Sequence, residues 1–147
     1  MLQWDSTDLR SFTGYRLLKL HSLATHTWAP ESFWDASRSQ YAIVYSAVST
    51  TGYNTLMVSY TTDFVTATVG TIFFNPGYDD IDGTFVNYSG MWYMYYKSQT
   101  NSTLLGARST TAAANSWTIF TSSVSPGRGV EAPEIIKHNS ANTWYLW

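Results

Sequence analysis

Hydrophobic and polar residues alternate along most of this chain with a period of two, which is the period of a β-strand. In residues 40–46, the large side chains of Tyr41, Ile43 and Tyr45 fall on one face and smaller side chains on the other. Aromatic and β-branched runs of the same kind recur at residues 91–96 and begin again at residue 143. Gly, Asn, Asp and Ser separate the runs, and no window of 11 or more residues has helical periodicity. The pattern predicts an all-β chain.

The predicted strands recur as a repeat of about 50 residues. Three opening segments place Pro30, Gly83 and Pro133 at equivalent positions, 53 and 50 residues apart. A polar turn, an aromatic strand and up to two further strands follow each opening. Four short antiparallel strands at this spacing are typical of a β-propeller blade. A β-sandwich of similar strands remains the alternative fold.

The repeat divides the chain into parts of a single partial β-propeller domain that covers residues 1–147. We expect about two full blades of four antiparallel strands and two partial ones. The predicted boundaries are the end of a blade at 1–20, blades at 28–75 and 80–122, and the first half of a blade at 130–147. A propeller needs roughly 4–8 blades to close, so this domain is predicted to be incomplete.

Composition and charge exclude several classes of protein. Charged residues make up 12% of the chain, against about 25% in ordinary soluble proteins, whereas aromatic residues reach 17%. The chain is too hydrophobic for disorder, and its net charge of −2 offers no basic surface for nucleic acid or an anionic membrane. It has no cysteine, which excludes disulfides and thiolate catalysis. No apolar run is long enough to span a bilayer, and the first residues lack the layout of a signal peptide.

Four short motifs, in this order and at blade spacing, resemble one known family. Ser-Thr-Asp-Leu at residues 6–9 is similar to its S-x-D-L turn, and Trp-Ala-Pro-Glu at 28–31 to its W-A-P-D/E strand. Asp-Ile-Asp-Gly-Thr-Phe at 80–85 is similar to its I-D-P/G-x-x-F strand, and Val-Glu-Ala-Pro-Glu at 130–134 to its E-G/A-P strand. The family is glycoside hydrolase family 43, the five-bladed propeller arabinanases, arabinofuranosidases and xylosidases. The resemblance covers nearly the whole chain.

Two carboxyl groups are the candidate catalytic residues. Asp82 and Glu131 lie one blade apart on blade-opening strands, which line the channel of a propeller, so we expect their side chains to converge in one pit near the axis. Burial and a facing negative charge both raise the pKa of a carboxyl group, as a general acid requires. The resemblance implies that Glu131 is the general acid and that Asp82 tunes and orients it.

The resemblance further implies inverting hydrolysis of arabinose- or xylose-containing plant polysaccharides, such as arabinan, arabinoxylan or xylan, by a secreted enzyme without metal or organic cofactor. The general base of the family is an Asp on the first blade's opening strand, and no residue here matches it. Asp5 and Asp8 are expected at the surface or in turns. The chain alone is therefore expected to hydrolyse poorly or not at all. Two sequons, at Asn87 and Asn101, agree weakly with secretion.

Other candidate residues have a structural interpretation beside the functional one. Trp28 is a candidate substrate-binding residue, since an aromatic face suits a sugar ring, but ordinary core packing fits equally well. Arg128, before Glu131, is expected to contact substrate or to cap its loop. Two further sets are expected to be structural. Turn or capping residues are predicted at Glu31, Asp79, Asp80 and Glu134, and inter-blade core at Tyr41, Tyr45, Trp92, Tyr93, Tyr95, Trp144 and Tyr145.

Other kinds of site have little support in the sequence. His21, His26 and His138 lack the spacing of metal ligands. No nucleophile elbow occurs, and residues 127–129 are too short a glycine-rich segment to cradle a phosphate. A second functional hypothesis is a non-catalytic, lectin-like propeller that binds carbohydrate and is assembled from several copies. Open blade edges could also pair with another chain by strand addition.

Overall fold

The computed structural model describes residues 1–22, 25–124 and 129–147. Within these ranges the chain forms strands, turns and bends, and no helix, so no helix there could cross a membrane. Arg128 and the preceding Gly127 lie outside the described residues. The strands are β1 (Leu2–Asp5), β2 (Thr13–Leu17), β3 (Trp28–Asp35), β4 (Gln40–Val48), β5 (Asn54–Thr61), β6 (Thr71–Phe74), β7 (Asp80–Tyr88), β8 (Met91–Ser98), β9 (Thr103–Ser109), β10 (Thr118–Thr121), β11 (Ile135–Lys137) and β12 (Trp144–Leu146).

The strands form four antiparallel sheets in chain order. Two sheets have four strands each, β3-β4-β5-β6 and β7-β8-β9-β10, with every strand beside its neighbour in sequence. The pairs β1-β2 and β11-β12 form two-stranded sheets. The predicted all-β fold, an incomplete propeller of four-stranded antiparallel blades, is confirmed. The predicted limits of the individual blades and of the single domain stay a prediction.

Both faces of the central strands are buried, which explains the near-continuous apolar character of β4. Ala42 and Val44 face a cluster between the two four-stranded sheets, whereas Ile43 and Tyr45 face a second cluster. The second cluster joins this sheet to the segment after β2, through Leu18 and its neighbours. The first cluster is the larger one, and it is built from Ala42, Val44, Leu56, Val58, Phe73, Phe74, Met94, Tyr96, Leu105, Ala107, Ala112 and Trp117.

The Ser-Thr-Asp-Leu segment at residues 6–9 and the similar Thr-Thr-Asp-Phe segment at residues 61–64 form the same turn. The Oγ of Ser6 accepts the N–H of Leu9 at 2.9 Å, and the Oγ1 of Thr61 accepts that of Phe64 at 2.9 Å. Leu9 and Phe64 both have a left-handed φ, of 58° and 54°. Asp8 is exposed in its turn, where its carboxylate accepts two backbone N–H groups. A side-chain oxygen that replaces a backbone acceptor is the reason Ser, Thr and Asp occupy this turn.

The last unit differs from its predicted opening strand. The sequence suggests that this strand begins near Glu131, whereas β11 begins at Ile135. Glu134 exchanges two backbone hydrogen bonds with Trp147, the last residue of the sequence, so no residue beyond Trp147 is present to pair opposite Glu131. Glu131 therefore lies in the segment that precedes β11, not on a strand.

The seven aromatic residues predicted as inter-blade core differ in burial. Tyr45 is fully buried and Trp92 packs against the first cluster, as expected. Tyr41 and Tyr145 are instead exposed, because each lies on a strand face that no neighbouring sheet covers completely. The other three aromatic residues line a cavity of about 210 Å³ between β8 and the sheet β11-β12, together with Val86, Tyr88 and Ile135. These three are Tyr93, Tyr95 and Trp144.

Replacing Phe73 with Ala should destabilise the protein strongly. Phe73 is fully buried between the two large sheets, with its ring centroid 5.6 Å from that of Trp117 and 5.7 Å from that of Phe85. Loss of a buried phenyl group leaves a cavity and costs about 3–5 kcal/mol in the free energy of unfolding, to be measured with urea. Val69→Ala, at an exposed position, is the control and should change it by less than about 0.5 kcal/mol. Similar losses for both variants would contradict this packing.

Candidate functional site

One pit of about 340 Å³ is formed where the opening segments of three sheets meet. Each segment contributes residues from the same positions of the repeat, so the pit is a product of the repeated fold. The lining residues are Ala29, Pro30 and Glu31 from β3, Asp82 and Gly83 from β7, and Ala132, Pro133 and Glu134 from the segment before β11.

The same backbone irregularity brings each segment into the pit. Ala29, Asp82 and Ala132 occupy equivalent positions, each before Pro or Gly, and have left-handed φ angles of 42°, 57° and 49°. In β3 and β7 the pairing register shifts at this point, as in a β-bulge. A bulge re-aims side chains away from the regular alternation of a strand. The bulge therefore explains why the carboxyl group of Asp82 lines the pit.

Asp82 is held at both its backbone and its side chain. Its N–H donates to the Oγ of the fully buried Ser46 at 2.9 Å, and its Oδ2 accepts the N–H of Ala132 at 3.1 Å. Burial raises the pKa of Asp82 above its ordinary value, against the hydrogen bond from Ala132. The charge of Glu131 adds to this rise and that of Lys97 opposes it. Asp82 thus has the raised pKa predicted for a carboxyl group near the axis.

Glu131 is close enough to Asp82 to interact with it, but its own contact is with a lysine. The Nζ of Lys97 donates to the Oε1 of Glu131 and forms an ion pair with it. The lysine side chain is 5% exposed and that of Glu131 is 59% exposed. Glu131 is not among the residues that line the pit, although Ala132 beside it is. The structure therefore places one carboxyl group in the pit and the other next to it.

Trp28 precedes Ala29 of the pit in sequence but does not itself line the pit, and it is 49% exposed, which excludes ordinary core packing. The imidazole of His26 stacks on the indole with 3.7 Å between ring centroids and 18° between planes. The Nε2 of His26 is 2.7 Å from the Oδ1 of Asn54, and the amide of Asn54 donates to Asp79 at 3.0 Å. This chain of contacts fixes the orientation of an exposed aromatic side chain.

Glu31 and Glu134 line the pit, whereas the sequence suggested only turn or capping residues. Glu31 lies within β3, and its Oε1 accepts the N–H of Phe85 at 3.0 Å and the Oγ1–H of Thr84 at 3.4 Å. It thereby bridges β3 and β7 across the pit. Burial raises the pKa of Glu31, opposed by those two hydrogen bonds, with a small further rise from Glu134. The only sequence signal was the equivalence of Glu31 with Glu134 in the repeat.

Asp80 is also not a cap. It is fully buried at the start of β7, and neither of its oxygens has a hydrogen-bond partner of good geometry in the described part of the chain. Burial raises the pKa of Asp80 to about 8, against the N–H of Leu56 and with a contribution from Asp79. At neutral pH this carboxyl group is largely protonated.

No group of three or more His, Asp or Glu side chains in residues 1–22, 25–124 and 129–147 is arranged to hold a metal ion. Two of the three histidines contact local groups: the Nδ1 of His26 is 3.0 Å from the Oγ1 of Thr25, and that of His138 accepts the N–H of Ser140. Asp5, expected at the surface, is exposed and pairs with Arg16. The chemistry of the pit is that of carboxyl groups.

Comparison with known families agrees with this chemistry. The family described as "Probable glycosyl hydrolase domain", which is related to glycoside hydrolase family 43, matches residues 1–147. The chain belongs to this family. No curated protein sequence matches this glycosyl hydrolase domain.

A solved structure supports the fold of the domain. This domain is similar to the crystal structure of an α-L-arabinofuranosidase from Lactobacillus brevis, with a TM-score of 0.65 and 14% sequence identity over 86% of this chain. The domain spans about half, 46%, of that enzyme's length. A thermostable family-43 glycoside hydrolase aligns over 99% of this chain and 74% of its own, with 11% identity and a TM-score of 0.43.

Replacing Ser46 with Ala should destabilise the domain by leaving the N–H of Asp82 without its acceptor. An unsatisfied buried donor costs about 1–3 kcal/mol in the free energy of unfolding. Ser32→Ala, exposed on β3, is the matched control and should cost less than about 0.5 kcal/mol. Urea unfolding of both variants measures the difference. Equal stability of the two would show that Ser46 does not hold the bulge.

Asp80 should make the domain lose stability as the pH rises. Its pKa is about 3.9 in an unfolded chain and about 8 in the fold. Folding therefore favours the protonated form, and this contribution, complete below pH 4, is lost as the pH rises to about 8, by up to about 1.4 kcal/mol per pH unit.

Asp80→Asn, which stays neutral, should remove most of this dependence. Urea unfolding between pH 5 and pH 8 should show a smaller loss of stability for the variant than for the wild type. Asp8→Asn, at an exposed turn, should leave the wild-type dependence intact. Parallel curves for the wild type and Asp80→Asn would contradict the burial of a protonated Asp80.

Proposed function

We propose that this glycosyl hydrolase domain acts on arabinose- or xylose-containing plant polysaccharides by inverting acid/base hydrolysis. The observation that carries the proposal is the pit itself, where the desolvated carboxyl group of Asp82 lies next to Glu131. A concave site with a few convergent polar groups is typical of a ligand pocket. Its volume of about 340 Å³ is of the order needed for a sugar unit.

The proposed roles follow the family resemblance. Glu131 would give its proton to the glycosidic oxygen as the bond breaks, while a water molecule attacks the anomeric carbon from the opposite face and loses a proton to a base. Asp82 would tune and orient the acid, which its hydrogen bond to the N–H of Ala132, beside Glu131, supports. No residue matches the base, so the chain alone should hydrolyse poorly.

Substrate contacts of the proposed site include an aromatic surface. Trp28 is exposed, and His26 covers one of its faces, so the indole is held in place for a sugar ring to stack on. Secretion is proposed with the polysaccharide substrate. Asn87 and Asn101 are both exposed, as glycosylation of their sequons would require.

A non-catalytic, carbohydrate-binding function is the second candidate. The observation in its favour is that Glu131 forms an ion pair with a buried lysine instead of facing the pit. Self-association through the open edges of the two-stranded sheets also stays a prediction, which light scattering would test.

Hydrolysis and binding assays separate the two candidates. We expect the chain to bind arabinoxylan oligosaccharides in calorimetry and to release little aldose from aryl α-L-arabinofuranosides and β-xylosides. Glu131→Gln should lower that residual turnover by about 10²–10⁴-fold, the usual contribution of a general acid, and should largely preserve binding. Asp8→Asn is the control, and its turnover should equal that of the wild type.

The remaining outcomes are equally decisive. Binding with no turnover, even with an excess of enzyme and with added formate or azide to take the part of the missing base, would favour the lectin-like candidate. Neither binding nor turnover would contradict both. Robust turnover that survives Glu131→Gln would show that another group is the acid.

A further inference from the structure

Lys97 is a residue next to the pit that the sequence analysis did not single out. It lies on β8 with Ile81 as its partner in the pairing register, directly beside the bulge that carries Asp82. Its side chain is 5% exposed, and lysine is almost never buried to this degree without a partner. Its partner is Glu131, which lies in the segment before β11 and is itself mostly exposed.

Two contacts attach the segment of Glu131 to the sheet β7-β8-β9-β10. Lys97 on β8 holds the carboxylate of Glu131, and Asp82 on β7 holds the N–H of the next residue, Ala132. The two anchors come from adjacent strands and act on consecutive residues. Together they fix both the position of this segment and the direction in which Glu131 points, although the segment has no regular strand pairing there.

We propose that Lys97 is a positioning residue, whose buried ammonium group anchors Glu131 beside the pit while Asp82 anchors Ala132. The proposal rests on the proposed function, because it concerns the position of the residue assigned as the proton donor, which the ion pair holds as its carboxylate. The burial of Lys97 is what makes the anchor firm. An ammonium group that cannot reach solvent loses far more than an exposed one when its carboxylate moves away.

The charges of the ion pair between Lys97 and Glu131 also act on the pKa of Asp82. The charge of Lys97 lowers the pKa of Asp82 and that of Glu131 raises it. Removal of the Lys97 charge and removal of the Glu131 charge therefore shift the pKa of Asp82 in opposite directions. A neutral side chain in the place of Lys97 would have no such effect.

NMR titration of the full chain with ¹³C-labelled carboxyl groups tests this proposal without substrate. Lys97→Met should raise the pKa of Asp82, Glu131→Gln should lower it, and Lys97→Arg, which keeps the charge, should leave it close to the wild-type value. The amide signals of Glu131 and Ala132 should shift in Lys97→Met, while that of Leu9, in a distant turn, should not. An unchanged Asp82 titration in both charge-removing variants would overturn the proposal.

Two further measurements keep the test decisive if Lys97→Met does not fold. In the wild type, the ¹⁵N-labelled ammonium group of Lys97 should give a slowly exchanging NMR signal that weakens or shifts in Glu131→Gln. An identical signal in both proteins would overturn the proposal. If Lys97→Met folds, the double variant with Glu131→Gln should have a higher urea midpoint than Glu131→Gln alone, because it buries no unpaired charge. A double variant whose change in urea midpoint equals the sum of the changes in the two single variants would overturn the proposal.

The outcomes also distinguish this proposal from the proposed function. None of the titrations or midpoints requires binding or turnover of a sugar. Coupling of Lys97 to Glu131 and Asp82 in a chain that neither binds nor hydrolyses carbohydrate would leave the anchor standing and remove the hydrolase. Turnover of a sugar without this coupling would support the hydrolase and overturn the anchor.

Discussion

The site depends on one backbone constraint, the left-handed residue that precedes Pro30, Gly83 and Pro133 in the opening segments. A regular strand would send the side chain of Asp82 to one face of its sheet, where the neighbouring sheet packs. The bulge instead turns it into the pit, and its N–H finds an acceptor in Ser46 of the adjacent sheet. Such backbone conformations cost about 1–3 kcal/mol each. The first cluster, between the two large sheets, provides the stability that offsets this strain.

The fold was predictable because its determinants are local in sequence. Alternation along β4 and β8, turn residues such as those at Ser6 and Thr61, and the spacing of Pro30, Gly83 and Pro133 are all visible without knowledge of the contacts. The exception shows the limit of this reasoning. Glu131 occupies the same repeat position as Trp28 and Ile81, which lie in strands, yet it precedes β11. Glu134 already pairs with Trp147, the last residue of the sequence, so Glu131 has no partner opposite it. The position of a residue in a repeat is visible locally, whereas its pairing depends on a second segment.

The site was only half predictable, because its remaining members are defined by contacts between sheets. Asp82 and Glu131 were identified from motif and repeat position. Glu31 contacts the N–H of Phe85, 54 positions away, and Lys97 contacts Glu131, 34 positions away. Alternation assigns a residue to a face of its strand but does not say what lies opposite that face. A lysine within an aromatic strand was the sole sign of an unusual environment.

The protonation of the carboxyl groups limits the chemistry that this pit can perform. A general acid must hold a proton, whereas the base that activates water must be ionised. Burial raises the pKa of both Asp82 and Glu31, so each favours its neutral form more than an exposed carboxyl group would. A raised pKa brings a carboxyl group closer to neutral pH, which suits a proton donor and a proton acceptor alike. The proposed assignment of the acid to Glu131 and of the base to another strand therefore rests on the motifs and not on the electrostatics of the carboxyl groups that line this pit.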